Sequence, residues 1–438
     1  MLTIYDILLG IFRFIAPALR KIFPQMDRSI FQPRDELLNR WKQKANLKDA
    51  IWFHVSSVGE LEQVRPVIHS LRQKGHKIYL TYFSSSVVRV VKNWDFVDEA
   101  DYLPLDFSDQ MQALIPMLNP RCIVFNRYDL WPNFMLEAKK LRIPLIVVNA
   151  SIPPKGWFGF LSLKVRKMLF YWVDGWTFVD TNAAQQWEPL VYPKVKGLVT
   201  GDPRVDRALE RVDLAMKEAK ASEKLNLWKR NSFCVVAGST WPKDERLLLR
   251  AWRGIPGEKS LVIVPHEPDQ HYLRGIEENL KKYSLTSIRW SQLTSPQAAD
   301  VLLVDQRGFL AEIYAIADFA YVGGGFGRQI HSVVEPAAHG IPVAFGPHFQ
   351  RSPEAFSLVA SGGGKSVSDP SSLQHWWNQL RNLPGKRAHS EEAIRIFLQI
   401  HKGAGQRVAE FIDTGLRENQ FHRTESWDRI DSSIERHW

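Results

Sequence analysis

Glu60 follows the apolar run Ile51-Trp-Phe-His-Val55 and a tight Ser56-Ser57-Val58-Gly59 turn. That places it in the first turn of a helix whose apolar face, by spacing, is Leu61, Val64, Val67, Ile68 and Leu71. A carboxylate there can face a substrate in the crevice above the carboxyl ends of parallel strands and act on it as a base. The alternative is that it only complements the helix dipole, an effect of about 0.3–1 kcal/mol. A second carboxylate, Asp129, follows the strand-like run CIVFN in Tyr128-Asp129-Leu130-Trp131-Pro132, and a cation, Arg204, follows Gly201-Asp202-Pro203.

The second half offers a different set. In YVGGGFGRQIHSVVEPAAHGIPVAFGPH (321–348), Gly323, Gly324, Gly325 and Gly327 end a strand and let backbone approach a ligand. A helix expected to open near Ser332 would turn its free N–H groups toward a phosphate. Ser332-Val333-Val334-Glu335 is also a capping-box pattern, in which Glu335 serves its own helix; the rival is that Glu335 accepts hydrogen bonds from a nucleotide ribose. Pro265 and His266 end the strand SLVIVPH, and Gln306, Arg307, Gly308 and Phe309 follow DVLLVD. Each alone is as well explained by a turn. Their recurrence at strand carboxyl ends in two domains points to a ligand cleft.

Strands and helices alternate from residue 51 onward, which implies α/β architecture with parallel sheets. The first series is IWFHVSS, KIYLTYF, CIVFN, PLIVVNAS, WTFVD and GLVTGD, with a basic helix at 160–175; the second is FCVVAGS, SLVIVPH, DVLLVD, DFAYVGGG and IPVAFG. At 438 residues, two Rossmann-like domains facing across a cleft are expected, with helices from 387 to 415 closing the chain. The expected divisions are an amino-terminal helix and basic segment (1–48), a first domain (49–206), a linker (207–230), a second domain (231–405) and a helical tail (406–438).

Net charge is +10, which favours anionic partners. Cys122 and Cys234 lie in apolar runs and suit buried thiols. There is no Asp-x-Asp motif, no metal-ligand spacing of His, Cys and Asp, and no Walker-type loop, so neither a metal nor another cofactor is expected. No basic-aromatic module accompanies the 16 Trp, so nucleic acid is not an expected partner. In the first 23 residues Ile4, Ile7, Leu8, Ile11, Phe14, Ile15 and Leu19 recur at helical spacing among Arg13, Arg20 and Lys21. The longest unbroken apolar run is far short of the roughly 20 residues that span a bilayer. Two readings remain: a helix lying on an anionic membrane surface, basic residues toward headgroups, or a helix packed on its own domain.

Val55-Ser-Ser-Val-Gly-Glu60, Tyr128-Asp-Leu-Trp-Pro-Asn133, Ala237-Gly-Ser-Thr-Trp-Pro-Lys-Asp-Glu245 and Gly323-Gly-Gly-Phe-Gly327 with His331-Ser-Val-Val-Glu-Pro336 lie in order along nearly the whole chain. They resemble the 3-deoxy-D-manno-octulosonic acid (Kdo) transferases of lipopolysaccharide assembly. The resemblance implies a metal-independent, inverting glycosyltransferase of the two-Rossmann GT-B type. Such enzymes move Kdo from CMP-Kdo to the lipid A precursor lipid IVA, at the cytoplasmic face of the inner membrane. It makes Glu60 the base for the acceptor hydroxyl. Asp129 falls where the family usually has Glu, and Arg204 where it has a Lys that stabilises the transition state. Pro265, His266, Arg307, Gly308, Phe309, Ser332, Val333, Val334 and Glu335 match positions that hold CMP, with Ser332 in place of the usual Asn. Two alternatives stay open: a related transferase with another nucleotide-sugar donor, and a non-catalytic membrane-bound binder of nucleotide sugar or lipid.

Overall fold

A computed structural model of the chain describes residues 2–47, 49–92, 94–127, 129–152, 169–187, 196–218, 221–229, 233–327 and 329–421. The chain divides into two compact units, residues 1–206 with 401–438, and residues 207–400.

In the first unit β1 (Ile51–Val55), β2 (Ile78–Tyr82), β3 (Glu99–Tyr102), β4 (Cys122–Asn126), β5 (Leu145–Ala150), β6 (Gly175–Phe178) and β7 (Lys196–Val199) form one sheet. The order is β3-β2-β1-β4-β5-β6-β7 and every pairing is parallel. A parallel sheet is covered on both faces, so β1, β2, β4 and β5 are buried at every position and are largely apolar, each carrying one buried polar residue (His54, Thr81, Asn126 and Asn149). Strand order reverses between β1 and β4. That switch point is where the loops leaving neighbouring strands diverge and open a crevice. Glu60 follows one of these strands and Asp129 the other.

The helix Val58–Gln73 buries Leu61, Val64, Val67, Ile68 and Leu71, the face its spacing predicts. On its Pro66 sits the helix Ala404–Arg417: a Cβ on Gly405 would stand 2.5 Å from Pro66 Cβ, so only glycine lets the two helices come this close. Val408, Ala409, Ile412 and Leu416 of that helix join the first unit's core. The closing segment is thus two helices, Pro384–His401 and Ala404–Arg417, and the second belongs to the first unit. The basic helix expected at 160–175 lies, up to residue 168, outside the described residues.

The helix Leu2–Ile22 runs through Pro17. Its arginines are turned to the unit itself: Arg13 pairs with Asp109 at 2.9 Å, and Arg20 with Asp27 and Asp35 at 2.6 Å each. Tyr5 donates to Asp106 at 2.8 Å, and Asn133 Nδ2 to Asp6 at 2.8 Å. Its exposed large apolar side chains are Ile7, Leu8, Ile11, Phe14, Ile15 and Ile22, followed by Phe23, with Phe14 at 88%; Asp6, Arg13 and Lys21 are exposed too. No helix among the described residues is long and apolar enough to cross a membrane.

The second unit is built on β9 (Cys234–Thr240), β10 (Ser260–Pro265), β11 (Ser287–Arg289), β13 (Val301–Leu303), β14 (Phe319–Val322), β15 (Val343–Phe345) and β16 (Gly364–Ser366). Their order is β11-β13-β10-β9-β14-β15-β16, again all parallel; β8 (Trp228–Lys229) and β12 (Gln297–Ala298) make a separate pair. The segment expected as a linker holds the helices Pro203–Glu218 and Ser222–Leu227. Here the switch point lies between β9 and β14. The glycines after β14 serve the protein's own packing: a Cβ on Gly323 would lie 2.2 Å from Ser239 O, and one on Gly325 2.5 Å from Gly346 N. They let three strand-end turns touch one another.

Candidate active site

Ser57 caps the helix Val58–Gln73 and accepts from Glu60 N at 3.4 Å, while Glu60 Oε2 reaches back to Ser56 N at 2.6 Å. The same Ser56 gives its hydroxyl to Asp129 Oδ2. The capping contact and the carboxylate pair are therefore one arrangement. Asp129 Oδ2 also lies 3.4 Å from Nε2 of His54, a ring with no solvent exposure. His54 faces Thr81 across the β1–β2 pair, Nδ1 to Oγ1 at 2.9 Å, and Trp52 Nε1 donates to the same hydroxyl at 2.9 Å. An indole N–H can only donate, so Thr81 accepts from it and can pass its own proton to His54 Nδ1. In the tautomer protonated at Nε2, the ring turns its N–H toward Asp129 Oδ2 at 3.4 Å.

The two carboxyls are driven apart. Burial first, and then the Asp129 charge, push Glu60 up to about 7, against the opposing Ser56 N–H and Arg127. Burial also works to raise Asp129, but His54 and the Ser56 hydroxyl prevail and hold it below the usual carboxylate range. A dipole-lowered Glu60, as the helix position alone suggests, is not what the site contains. The apolar walls and the neighbouring charge outweigh the helix end.

Arg204 lies in a second network of the same unit. Its Nε donates to Asp202 Oδ2 at 2.9 Å and its Nη2 bonds the same carboxylate. Gln63, fully buried, donates to Asp202 Oδ1 at 3.1 Å and accepts from Asn126 Nδ2 at 3.1 Å and Arg127 Nε at 2.9 Å. Burial would raise Asp202, yet Arg204 foremost, with Arg127 behind it, holds it down at about 2. Arg127 has a positive φ of 61° directly after β4. Glu60 and Asp129 meet directly through Ser56; Arg204 is linked toward them through Asp202, Gln63 and Arg127. Of these residues His54, Gln63 and Arg127 carry no motif of their own. His54 does sit in the run that delivers Glu60.

In the second unit Pro265 ends β10 and His266 follows it. The His266 and His331 rings stack at 4.1 Å between centroids, Trp241 lies 5.0 Å from His266, and Trp241 Nε1 donates to His331 Nε2 at 3.0 Å. Burial, then the charge of His266, pushes His331 down to about 4, so the acceptor nitrogen stays unprotonated. These three rings leave β9, β10 and β14 at the switch point. Asp244 ties the turns beneath them, accepting from Gly324 N at 2.9 Å, Trp241 N at 3.0 Å and Tyr321 at 2.8 Å.

The other expected nucleotide positions are placed differently. Arg307 and Gly308 are exposed, and Phe309 packs on Trp290 with centroids 5.3 Å apart. Val333 and Val334 point into the core and can offer only backbone. The helix expected near Ser332 begins at Val334, two residues on; it is five residues long and has no side-chain cap. Glu335 does not complete a capping box: it pairs with Arg211 at 2.7 Å, a charged partner that outcompetes a backbone N–H. Among the described residues no group of three or more His, Cys, Asp or Glu is placed to hold a metal ion.

Residues 31–207 match the family model described as 3-Deoxy-D-manno-octulosonic-acid transferase (kdotransferase). The 3-deoxy-D-manno-octulosonic acid transferase of Chlamydia pneumoniae is 30% identical over 329 residues, covering 73% of this chain and 74% of its own. The chain belongs to the Kdo transferase family. Its counterpart from Chlamydophila psittaci is 27% identical over 376 residues, with 82% and 83% covered. Among solved structures, UDP-GlcNAc 2-epimerase from Neisseria meningitidis shares the fold at a TM-score of 0.62 and 16% identity, over 83% of this chain and 100% of that one. MurG from Acinetobacter baumannii does so at 0.54 and 14%, over 84% and 100%. The two Rossmann-like units of this Kdo transferase family member are those of the GT-B architecture.

Proposed function

We propose that the chain transfers Kdo from CMP-Kdo to a primary hydroxyl of lipid IVA, with inversion, at the cytoplasmic face of the inner membrane. The observation that carries this reading is the Glu60–Ser56–Asp129 arrangement at the first unit's switch point, in a member of the Kdo transferase family.

A carboxyl with a pKa of about 7 is half ionised near neutral pH and far more basic than an ordinary glutamate. As the acceptor oxygen bonds to the anomeric carbon, Glu60 takes the hydroxyl proton. The bond from that carbon to the phosphate oxygen breaks, and its electron pair leaves with CMP. Asp129 does not compete for the proton, because its own oxygen is held by His54 and Ser56. CMP is already a good leaving group, so its departure calls for fixed positive charge rather than an acid. Arg204 supplies that sign of charge in the same unit. The rings of Trp241, His266 and His331 suit the face of a nucleobase.

The exposed apolar face of the helix Leu2–Ile22 supports a lipid acceptor: it offers side chains that gain by entering a membrane surface. The test is incubation of the full chain with CMP-Kdo and lipid IVA, followed by product mass. A mass gain of one or more Kdo residues is expected. No gain with CMP-Kdo, but transfer from another sugar nucleotide, would overturn the donor assignment.

A further inference from the structure

We infer that Arg127 takes the carboxylate of the acidic donor sugar, and so distinguishes it from a neutral sugar. This rests on the Kdo-transfer reading and deepens it.

The backbone comes first. Arg127 is held at φ 61°, a conformation that costs a non-glycine residue about 1–2 kcal/mol. Its N–H donates to Val148 O at 2.8 Å, so the turn is fixed by the sheet and not by chance. Such strain, where it is observed, goes with a side chain that must point in one direction.

The side chain is then held by one edge. Nε donates to Gln63 Oε1 at 2.9 Å, and Gln63 is itself immobilised by Asn126 and Asp202. Nη1 and Nη2 have no hydrogen-bond or ion-pair partner among the described residues, although the residue is half-buried. Asp202, whose Oδ1 accepts from Gln63, is engaged on Arg204. A guanidinium anchored at Nε and open at its two terminal nitrogens is the fork that receives a carboxylate or phosphate with two parallel bonds.

Position selects between anions. Arg127 leaves β4 two residues before Asp129, whose carboxylate Ser56 joins to Glu60, and the Arg127 charge opposes the rise of the Glu60 pKa. In a 2-ulosonic acid the carboxylate is bonded to the anomeric carbon, the same atom that the acceptor oxygen attacks. An anion one bond from the reacting carbon belongs beside the base that serves it. The donor's carboxylate meets that condition by its covalent structure; phosphates on the acceptor do not.

The experiment compares wild type with Arg127→Gln and Arg127→Lys, full chain, using CMP-Kdo, lipid IVA and CMP as competitive inhibitor. The expected result is a rise of tenfold or more in the KM for CMP-Kdo in Arg127→Gln, with the inhibition constant of CMP unchanged, since CMP lacks the sugar carboxylate. Arg127→Lys keeps the charge without the fork and should fall between. Equal weakening of CMP and CMP-Kdo would assign Arg127 to the phosphate and overturn the proposal. A rise confined to the KM for lipid IVA would assign it to the acceptor and overturn it likewise. Retained CMP inhibition shows that a variant is folded, and Arg127→Lys carries the test alone should Arg127→Gln not be. Should wild type transfer no Kdo, the functional reading itself has failed; CMP-Kdo binding by calorimetry, against CMP, then still decides the role of Arg127.

Discussion

Glu60 and Asp129 are joined by one serine: the Ser56 N–H donates to Glu60 Oε2 at 2.6 Å and its hydroxyl to Asp129 Oδ2. The bridge fixes two carboxyls on opposite sides of one residue in opposite electrostatic states. Ionised Asp129 keeps the Glu60 proton affinity high, as a base that must act near neutral pH requires.

The first prediction concerns that coupling. Glu60 works deprotonated, so kcat/KM should fall about tenfold per pH unit below about 7 and level off above it. Asp129→Asn removes the like charge but not the burial, and should move the acid limb down by roughly one unit. A pH–rate profile checks both. If the limb of Asp129→Asn overlays that of wild type, Asp129 does not tune Glu60.

His54 makes the second prediction, as a positioning residue that acts through Asp129. In His54→Phe the aromatic packing against Phe125 and Phe134 can persist, but the Nε2 contact is lost. Asp129 then competes for the shared proton, and the acid limb should shift in the same direction as in Asp129→Asn, with the KM for CMP-Kdo unchanged. A merely structural histidine would lower Tm and leave the shape of the profile alone.

The strand-and-helix plan and the placement of Glu60 and Asp129 at neighbouring strand ends were legible because both rest on local signals. The central strands are mostly apolar runs, and Glu60 announces itself by the turn before it. Besides the two-residue strands β8 and β12, the unexpected strands are β3 with Glu99 and Asp101, β11 with Arg289 and β16 with Lys365; these three lie at sheet edges, where charge protects against unwanted pairing and hides the strand signal. Glu335 misled for another reason. Its capping-box spacing is real, but Arg211 lies more than a hundred positions away in sequence and no local pattern reveals it. His54, Gln63 and Arg127 were likewise beyond reach: His54 meets Thr81, and Gln63 meets Asn126, Arg127 and Asp202, only when β1, β2, β4 and β7 share one sheet. The sign of the Glu60 shift also depended on burial that the helix position did not disclose.

Trp241 tests the second unit. If its indole carries the nucleobase, Trp241→Ala should raise the KM for CMP-Kdo and the inhibition constant of CMP together, roughly 5- to 150-fold for a stacking contribution of about 1–3 kcal/mol. Trp241→Phe should recover most of the loss. Unaltered CMP inhibition in the alanine variant would remove the rings from the nucleotide site.

Gly405 gives a prediction in which the sign is decisive. Alanine is favoured over glycine inside a helix by about 1 kcal/mol, so in open space Gly405→Ala would stabilise. Here the new Cβ would meet Pro66 Cβ at 2.5 Å and its carbonyl carbon at 3.0 Å, so the helix Ala404–Arg417 must back away from its partner. Overpacking of this kind costs about 1–3 kcal/mol, and thermal unfolding should show a lowered Tm. A raised Tm would mean that the helix contact is looser than described.

The amino-terminal helix separates two forces that the sequence left mixed. Arg13 is occupied by Asp109, whereas Phe14 is 88% exposed on the adjoining apolar face. If the helix enters a membrane surface, apolar transfer should dominate over headgroup charge. Burying a phenylalanine side chain is worth about 1.5–3 kcal/mol, so Phe14→Ser should weaken binding to anionic vesicles by roughly tenfold or more. The paired change Arg13→Ala with Asp109→Asn, which removes a matched ion pair and keeps the net charge, should have little effect on binding. Sedimentation with phosphatidylglycerol-containing vesicles at low and high salt measures both. Strong salt dependence with no loss in Phe14→Ser would show that the surface is read by its charge instead, and that the exposed face has another occupant.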